Sequence, residues 1–224
     1  QASTRAGFSI VTYTGAGGNQ TIAHGLGAIP TVIIIRRRDD AGDWTSYHAA
    51  LGAEKFLRLN SNNAMGDQAT YFNDTTPTSS VFTVGSAGDV NTSSGTHVAY
   101  CFTDIQGYSK FGSYEGNADA NGPFIYTGFK PAFVLIKEAD NANDWDLRDS
   151  ARNPHNHVDT WLRPNSSDAD SDSDSIEFLS NGFKIRQTSN RNNRNGGTLV
   201  YLRFAERPFV SSKGIPTTAR WLKL

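Results

Sequence analysis

An all-β fold made of two similar halves is what this chain predicts, and three observations carry the prediction. The sequence repeats itself: a shift of 101 residues carries Gly27-Ala28-Ile29-Pro30 onto Gly128-Phe129-Lys130-Pro131, Tyr13 and Gly15 onto Tyr114 and Gly116, and Asp43-Trp44 onto Asp144-Trp145. Its runs of Val, Ile, Phe, Tyr and Thr are short and bounded by Gly, Asn, Asp, Ser or Pro, which is the pattern of strands and turns. No stretch shows the apolar period of a helix. Together these predict two internally duplicated β-sandwich-like halves, residues 1–106 and 107–208, packed with a pseudo-twofold relation and followed by a C-terminal extension over 209–224. The joint Ile105-Gln106-Gly107 is too short to act as a free linker, so the halves should touch.

In the first half the strands are expected near 8–14, 31–37, 44–48, 55–59, 80–84 and 96–104, and in the second near 108–114, 132–138, 145–149, 159–163, 176–186 and 198–205. Val32-Ile33-Ile34-Ile35 and Phe133-Val134-Leu135-Ile136 are apolar at consecutive positions rather than alternate ones, so both of their faces should be covered. Gly27 and Gly128 mark turns that need a free backbone, and Pro30 and Pro131 set φ at the strand entrances. After each core strand an Asp-rich turn, 39–43 or 140–144, leads into Trp44 or Trp145, as in a hairpin whose tryptophan covers the edge of the core.

A formal net charge of -1 argues against a general electrostatic hold on nucleic acid or anionic lipid, leaving room only for local basic patches, and no apolar run is long enough to cross a bilayer as a helix. One cysteine, Cys101, allows no internal disulfide. The chain begins at Gln1 rather than Met, which suggests a fragment or a processed protein. For catalysis the pattern is poor. Five glutamates occur without a recognisable motif, no nucleophile elbow or phosphate-cradling loop is present, and Cys101 sits in an apolar strand. No enzyme activity and no cofactor are expected, with calcium as the exception to weigh.

Calcium enters through Asp168, Asp170, Asp172 and Asp174, four carboxylates on alternate residues that could gather hard oxygen ligands; the alternative is a solvated loop. Asp140, Asp144 and Asp146 raise the same question at the second Asp-Trp turn, where turn chemistry also accounts for them. His155 and His157 would share one side of an extended strand, with no third metal ligand evident. His24 can hydrogen-bond the adjacent turn. Arg191-Asn192-Asn193-Arg194 suits anionic or hydroxyl-rich ligands through guanidinium and amide groups. Exposed aromatics would turn such a loop into a sugar platform, and Trp161, Tyr47, Tyr71, Phe72 and Trp221 are the aromatics not assigned to the core. Phe209, Ile215, Trp221 and Leu222 have no counterpart in the repeat and are expected to make assembly contacts.

The segments Gly7-Phe8-Ser9-Ile10-Val11-Thr12-Tyr13-Thr14-Gly15, Ala23-His24-Gly25-Leu26-Gly27-Ala28-Ile29-Pro30, Val98-Ala99-Tyr100-Cys101-Phe102, Gly107-Tyr108-Ser109-Lys110-Phe111-Gly112-Ser113-Tyr114 and Asp149-Ser150-Ala151-Arg152-Asn153-Pro154 resemble a duplicated all-β domain of tailed-bacteriophage virion proteins. That family has no assigned activity, and its members often follow a concanavalin A-like lectin domain in tail-fibre or surface proteins. The resemblance implies a virion-surface location and a role in a tail fibre or receptor-binding apparatus. A capsid decoration or head-fibre protein and a carbohydrate-binding module are the alternatives. Implied partners are copies of the chain itself, as a trimer, other virion proteins and a host surface glycan, with neither nucleic acid nor membrane insertion.

Overall fold

The computed structural model describes residues 1–206. The first half runs β1 (Ala2–Ser3), β2 (Phe8–Thr14), β3 (Gln20–Ala23), β4 (Val32–Arg37), β5 (Trp44–His48), β6 (Lys55–Arg58), β7 (Gly66–Asp67), α1 (Ala69–Phe72), β8 (Val81–Val84), α2 (Gly88–Asn91) and β9 (Thr96–Phe102). The second runs β10 (Ser109–Glu115), β11 (Phe124–Tyr126), β12 (Pro131–Glu138), β13 (Asp146–Asp149), β14 (Val158–Trp161), β15 (Ser171–Leu179), β16 (Gly182–Ile185), α3 (Asn190–Asn193) and β17 (Thr198–Ala205). The fold is all-β, and every pairing between these strands is antiparallel.

The strand order β2-β9-β4-β5 in the large sheet of the first half corresponds to β10-β17-β12-β13 in the second, and β3 beside β8 corresponds to β11 beside β16. Hydrogen bonds correspond as well. The Tyr13 hydroxyl donates to the Val90 carbonyl at 2.5 Å and the Tyr114 hydroxyl to that of Asn192 at 2.7 Å. Asn91 and Asn193, both fully buried, accept from the backbone N–H of Ala16 and Asn117 and donate to the carbonyls of Gly85 and Gln187. Each satisfies loop groups that would otherwise be buried without a partner, so a polar side chain is required there.

The core strands are covered on both faces, as their consecutive apolar residues predict. Ile33 and Ile35 enter the core of the first half and Val134 and Ile136 that of the second. Val32, Ile34, Phe133 and Leu135 turn the other way, into a third cluster with Leu57, Phe111, Trp145 and Leu202 that joins the halves. Trp145 also donates its indole N–H to the Arg58 carbonyl at 2.9 Å. The contact between halves is therefore a hydrophobic layer with directed bonds, which suits the short joint at 105–107.

Gly27 and Gly128 have φ of 68 and 81, a region that favours glycine. The expected strand 176–186 is instead a tight hairpin, β15 and β16 joined through Ser180-Asn181. Among the described residues, three single-turn helices and the short strands β1, β3, β7 and β11 are additions to the expected elements. Four residues are too few to display a helical period, so nothing in their pattern separates α1, α2 and α3 from turns. No helix among the described residues is long and apolar enough to cross a membrane. Phe209, Ile215, Trp221 and Leu222 lie outside the described residues.

Candidate recognition surface

The loop 190–197, expected to bind ligands, is buried at its centre: Asn190, Asn195 and Gly196 are exposed, but Arg191 and Arg194 are half-buried. Asn192 and Asn193 have no exposed surface. Arg191 stacks on the Trp161 ring with its guanidinium carbon 3.4 Å from the centroid, and its Nε lies 3.2 Å from Asp146 Oδ2. Trp161 is buried rather than exposed; it also carries Arg163 at 4.3 Å and donates its indole N–H to Ser173 Oγ. Asp146 is the centre of this network. Fully buried, it holds Arg148 through two bonds of 2.7 and 3.0 Å and accepts from Asn192 Nδ2 at 2.9 Å. Arg148, equally buried, donates its remaining N–H groups to the carbonyls of Val158, Asp159 and Ser173. Arg194 is half-buried and its carbonyl closes the turn to Gly197 N–H. In sequence such a segment looks like a solvated loop because its residues are polar; here Asn192 Nδ2 and the whole Asn193 amide bond inside the protein, while Asn192 Oδ1 is buried without a partner among the described residues.

Tyr47, Tyr71 and Phe72 are buried too, and Trp221 lies outside the described residues. Of the acidic tract, Asp168 pairs with Arg163 at 3.0 Å and Asp172 accepts from the Thr160 hydroxyl at 2.6 Å, while Asp170 is exposed and Asp174 lies on β15. Asp140 and Asp144 bind Thr198 N–H and Asn165. Among the described residues no three His, Cys, Asp or Glu side chains come together as metal ligands. His157 faces Glu177 at 3.3 Å. His24 does bond its turn, accepting from Leu26 N–H at Nδ1, with Nε2 3.1 Å from the Thr78 carbonyl that it must therefore donate to. Burial pushes the Cys101 thiol up to about 12, so it stays protonated near neutrality.

The exposed aromatics are elsewhere. Among the described residues Phe124 and Tyr126 are 44% and 67% exposed, and both lie on β11, the edge of the sheet β11-β16-β15-β14. Strand alternation sends Ile125 between them into the core and turns both rings outward. Across the sheet Phe124 pairs with Lys184 and then Glu177; Tyr126 pairs with Gly182 and then Leu179. A Cβ on Gly182 would stand 2.9 Å from the Phe124 ring edge, so the far end of that ring leans over the glycine. The Tyr126 hydroxyl similarly reaches the Gly128 turn, 3.5 Å from where a Cβ would stand.

A fixed set of polar groups borders the rings. Arg186 donates to Glu177 at 2.8 Å and to Asn121 Oδ1 at 3.2 Å, and Lys184 Nζ donates to the Gly122 carbonyl at 2.7 Å. The surface thus combines exposed aromatic rings with oriented donors and acceptors, a make-up that suits a ligand apolar on one side and polar at its rim. The first half lacks it. Ile22 pairs with Phe82 as Ile125 pairs with Phe183, which sets Thr21 and Ala23 against Phe124 and Tyr126. The shift of 101 residues misses this match, because the segments before β3 and β11 differ in length; aligning on Ile22 and Ile125 would have found it.

The chain belongs to a family described as a domain of unknown function, DUF7483, whose profile matches residues 1–208. No curated protein and no solved structure matches it.

Proposed function

We propose that this chain is a non-enzymatic virion-surface protein of a tailed bacteriophage, a tail-fibre or receptor-binding component that meets the host surface. The observation that carries the reading is the pair Phe124 and Tyr126, exposed side by side on a rigid sheet edge where the first half has Thr21 and Ala23. Large aromatics left in water on a well-packed frame mark recognition rather than folding. Resemblance to phage virion proteins supplies the location. The corresponding strand orders and hydrogen bonds support an origin of the two halves by duplication, after which one copy acquired the aromatic edge. In the particle the chain assembles with copies of itself, as a trimer, so that several weak contacts act together.

Competition tests the reading. Purified chain should slow adsorption of the phage to its host in proportion to concentration, and antibodies to it should label the tail tip. Labelling confined to the capsid lattice, with no competition, would replace attachment by decoration.

A further inference from the structure

Resting on the attachment reading, we infer that the outer face of β11, β16 and β15 is a glycan-stacking site, with Phe124 and Tyr126 as the platform for pyranose rings and the Arg186, Glu177 and Asn121 network as the partner of their hydroxyls. Three features select this occupant. The far end of the Phe124 ring leans over Gly182 and the Tyr126 hydroxyl lies beside Gly128, so both rings stay close to the sheet with aromatic surface left in water, to which a pyranose offers its C–H face. The two positions are two residues apart on one strand, about 7 Å, so neighbouring units of one chain reach both. The bordering groups offer donors and acceptors together, Arg186 with Glu177 and Asn121, which is what a hydroxyl needs because it both gives and accepts.

A protein partner fits less well. At 44% and 67% exposure the two rings present about 200 Å² of aromatic surface, against about 800 Å² per partner in a standard interface. Their neighbours on the face are Lys184, Glu177, Gly182 and Leu179, which add little apolar area. An extended second copy could add a strand to the edge of β11, and the test includes that outcome.

The test is binding of the purified chain to an array of neutral and uronate-containing pyranose oligosaccharides, followed by titration calorimetry with the best binder. Expected are saturable binding, at least about tenfold weaker in Tyr126→Ala and Phe124→Ala, near wild-type in Tyr126→Phe, and unchanged in Ile29→Ala, which removes an exposed apolar group away from this face. Unfolding temperatures of the variants establish that they are folded. The inference is overturned if no array member binds, if both alanine variants bind as wild type does, or if sedimentation shows that Tyr126→Ala only dissociates an oligomer. A chain that competes for adsorption yet binds no sugar leaves attachment standing and removes the glycan. One that binds sugar yet does not compete does the reverse.

Discussion

Thr45 and Tyr47 on β5 occupy the positions that Asp146 and Arg148 occupy on β13, because Ile35 and Ile33 pair with the first two as Ile136 and Val134 pair with the second two. In the first half Tyr47 packs its ring against Phe72 at 5.5 Å and Val90 of α2 adds to the same apolar core. In the second the corresponding interior holds an ion pair, and Asn192 of α3, at the place of Val90, bonds Asp146. One backbone arrangement accepts either solution. Once a carboxylate is placed inside, however, the residues around it lose their freedom to be apolar, since each of its lone pairs needs a donor.

The largest effect should come from breaking that network. Asp146→Ala leaves the Arg148 guanidinium buried with only carbonyl partners, and the loss of stability should be about 3–5 kcal/mol in denaturant unfolding. Asp146→Thr with Arg148→Tyr and Asn192→Val copies the solution of the first half. If the halves are interchangeable frames, this triple variant recovers more than half of the loss; a triple as unstable as Asp146→Ala would mean that the frames differ in ways beyond these three side chains.

The two core strands were legible because both faces of β4 and β12 are apolar, and no arrangement leaves such a run wet. The turns were legible because Gly27 and Gly128 are needed for their φ. Arg148 was not. On a strand reading Asp-Leu-Arg-Asp, alternation suggests that Leu147 faces the core and the charges face water. In fact Leu147 faces the layer between halves while Asp146 and Arg148 face the interior, since a strand covered on both sides has no solvent face to assign. The same blindness hid the roles of Trp161 and Arg191, whose stacking depends on residues distant in sequence. Phe124 and Tyr126 escaped because β11 is too short for alternation to register.

A second contrast lies at the layer between the halves, where His48 of β5 stands at the position of Asp149. Its Nδ1 accepts from Ala50 N–H, which makes Nε2 the donor to the Tyr201 carbonyl of the other half at 3.4 Å. Burial lowers its pKa from 6.5 to about 4, outweighing the Tyr201 carbonyl and the Asp104 carboxylate, which favour the charged form. Above pH 6.5 both folded and unfolded chains hold it neutral, so nothing is lost. As pH falls from 6.5 toward 4 the unfolded chain takes up a proton that the folded one refuses, and stability falls. The loss should be on the order of 3 kcal/mol, measured by denaturant unfolding at neutral and acid pH. His48→Asn should flatten that slope; an unchanged slope would show that carboxylates elsewhere cause it.

The smallest effect expected has the opposite sign. Arg203 on β17 stands where Cys101 stands on β9, since Val134 and Ile33 pair with them in turn. It has no exposed surface, and among the described residues none of its guanidinium nitrogens has a hydrogen-bond partner. What it has are the rings of Phe129, Phe183 and Tyr201 at 5.6, 4.5 and 5.0 Å. Such stacking contributes about 0.5–2 kcal/mol, whereas removing a charge from water costs several, and burial accordingly brings the Arg203 pKa down to about 9. Methionine has similar length, no charge and a sulfur that packs well against aromatic edges. Arg203→Met should therefore raise stability, by about 1 kcal/mol. Arg203→Lys keeps the charge but loses the planar stack, and should lower it. If Arg203→Met proves the less stable protein by more than the Lys variant, stacking outweighs desolvation here, and the polar interior of the second half is stabilised by its charges one by one rather than only where they are paired.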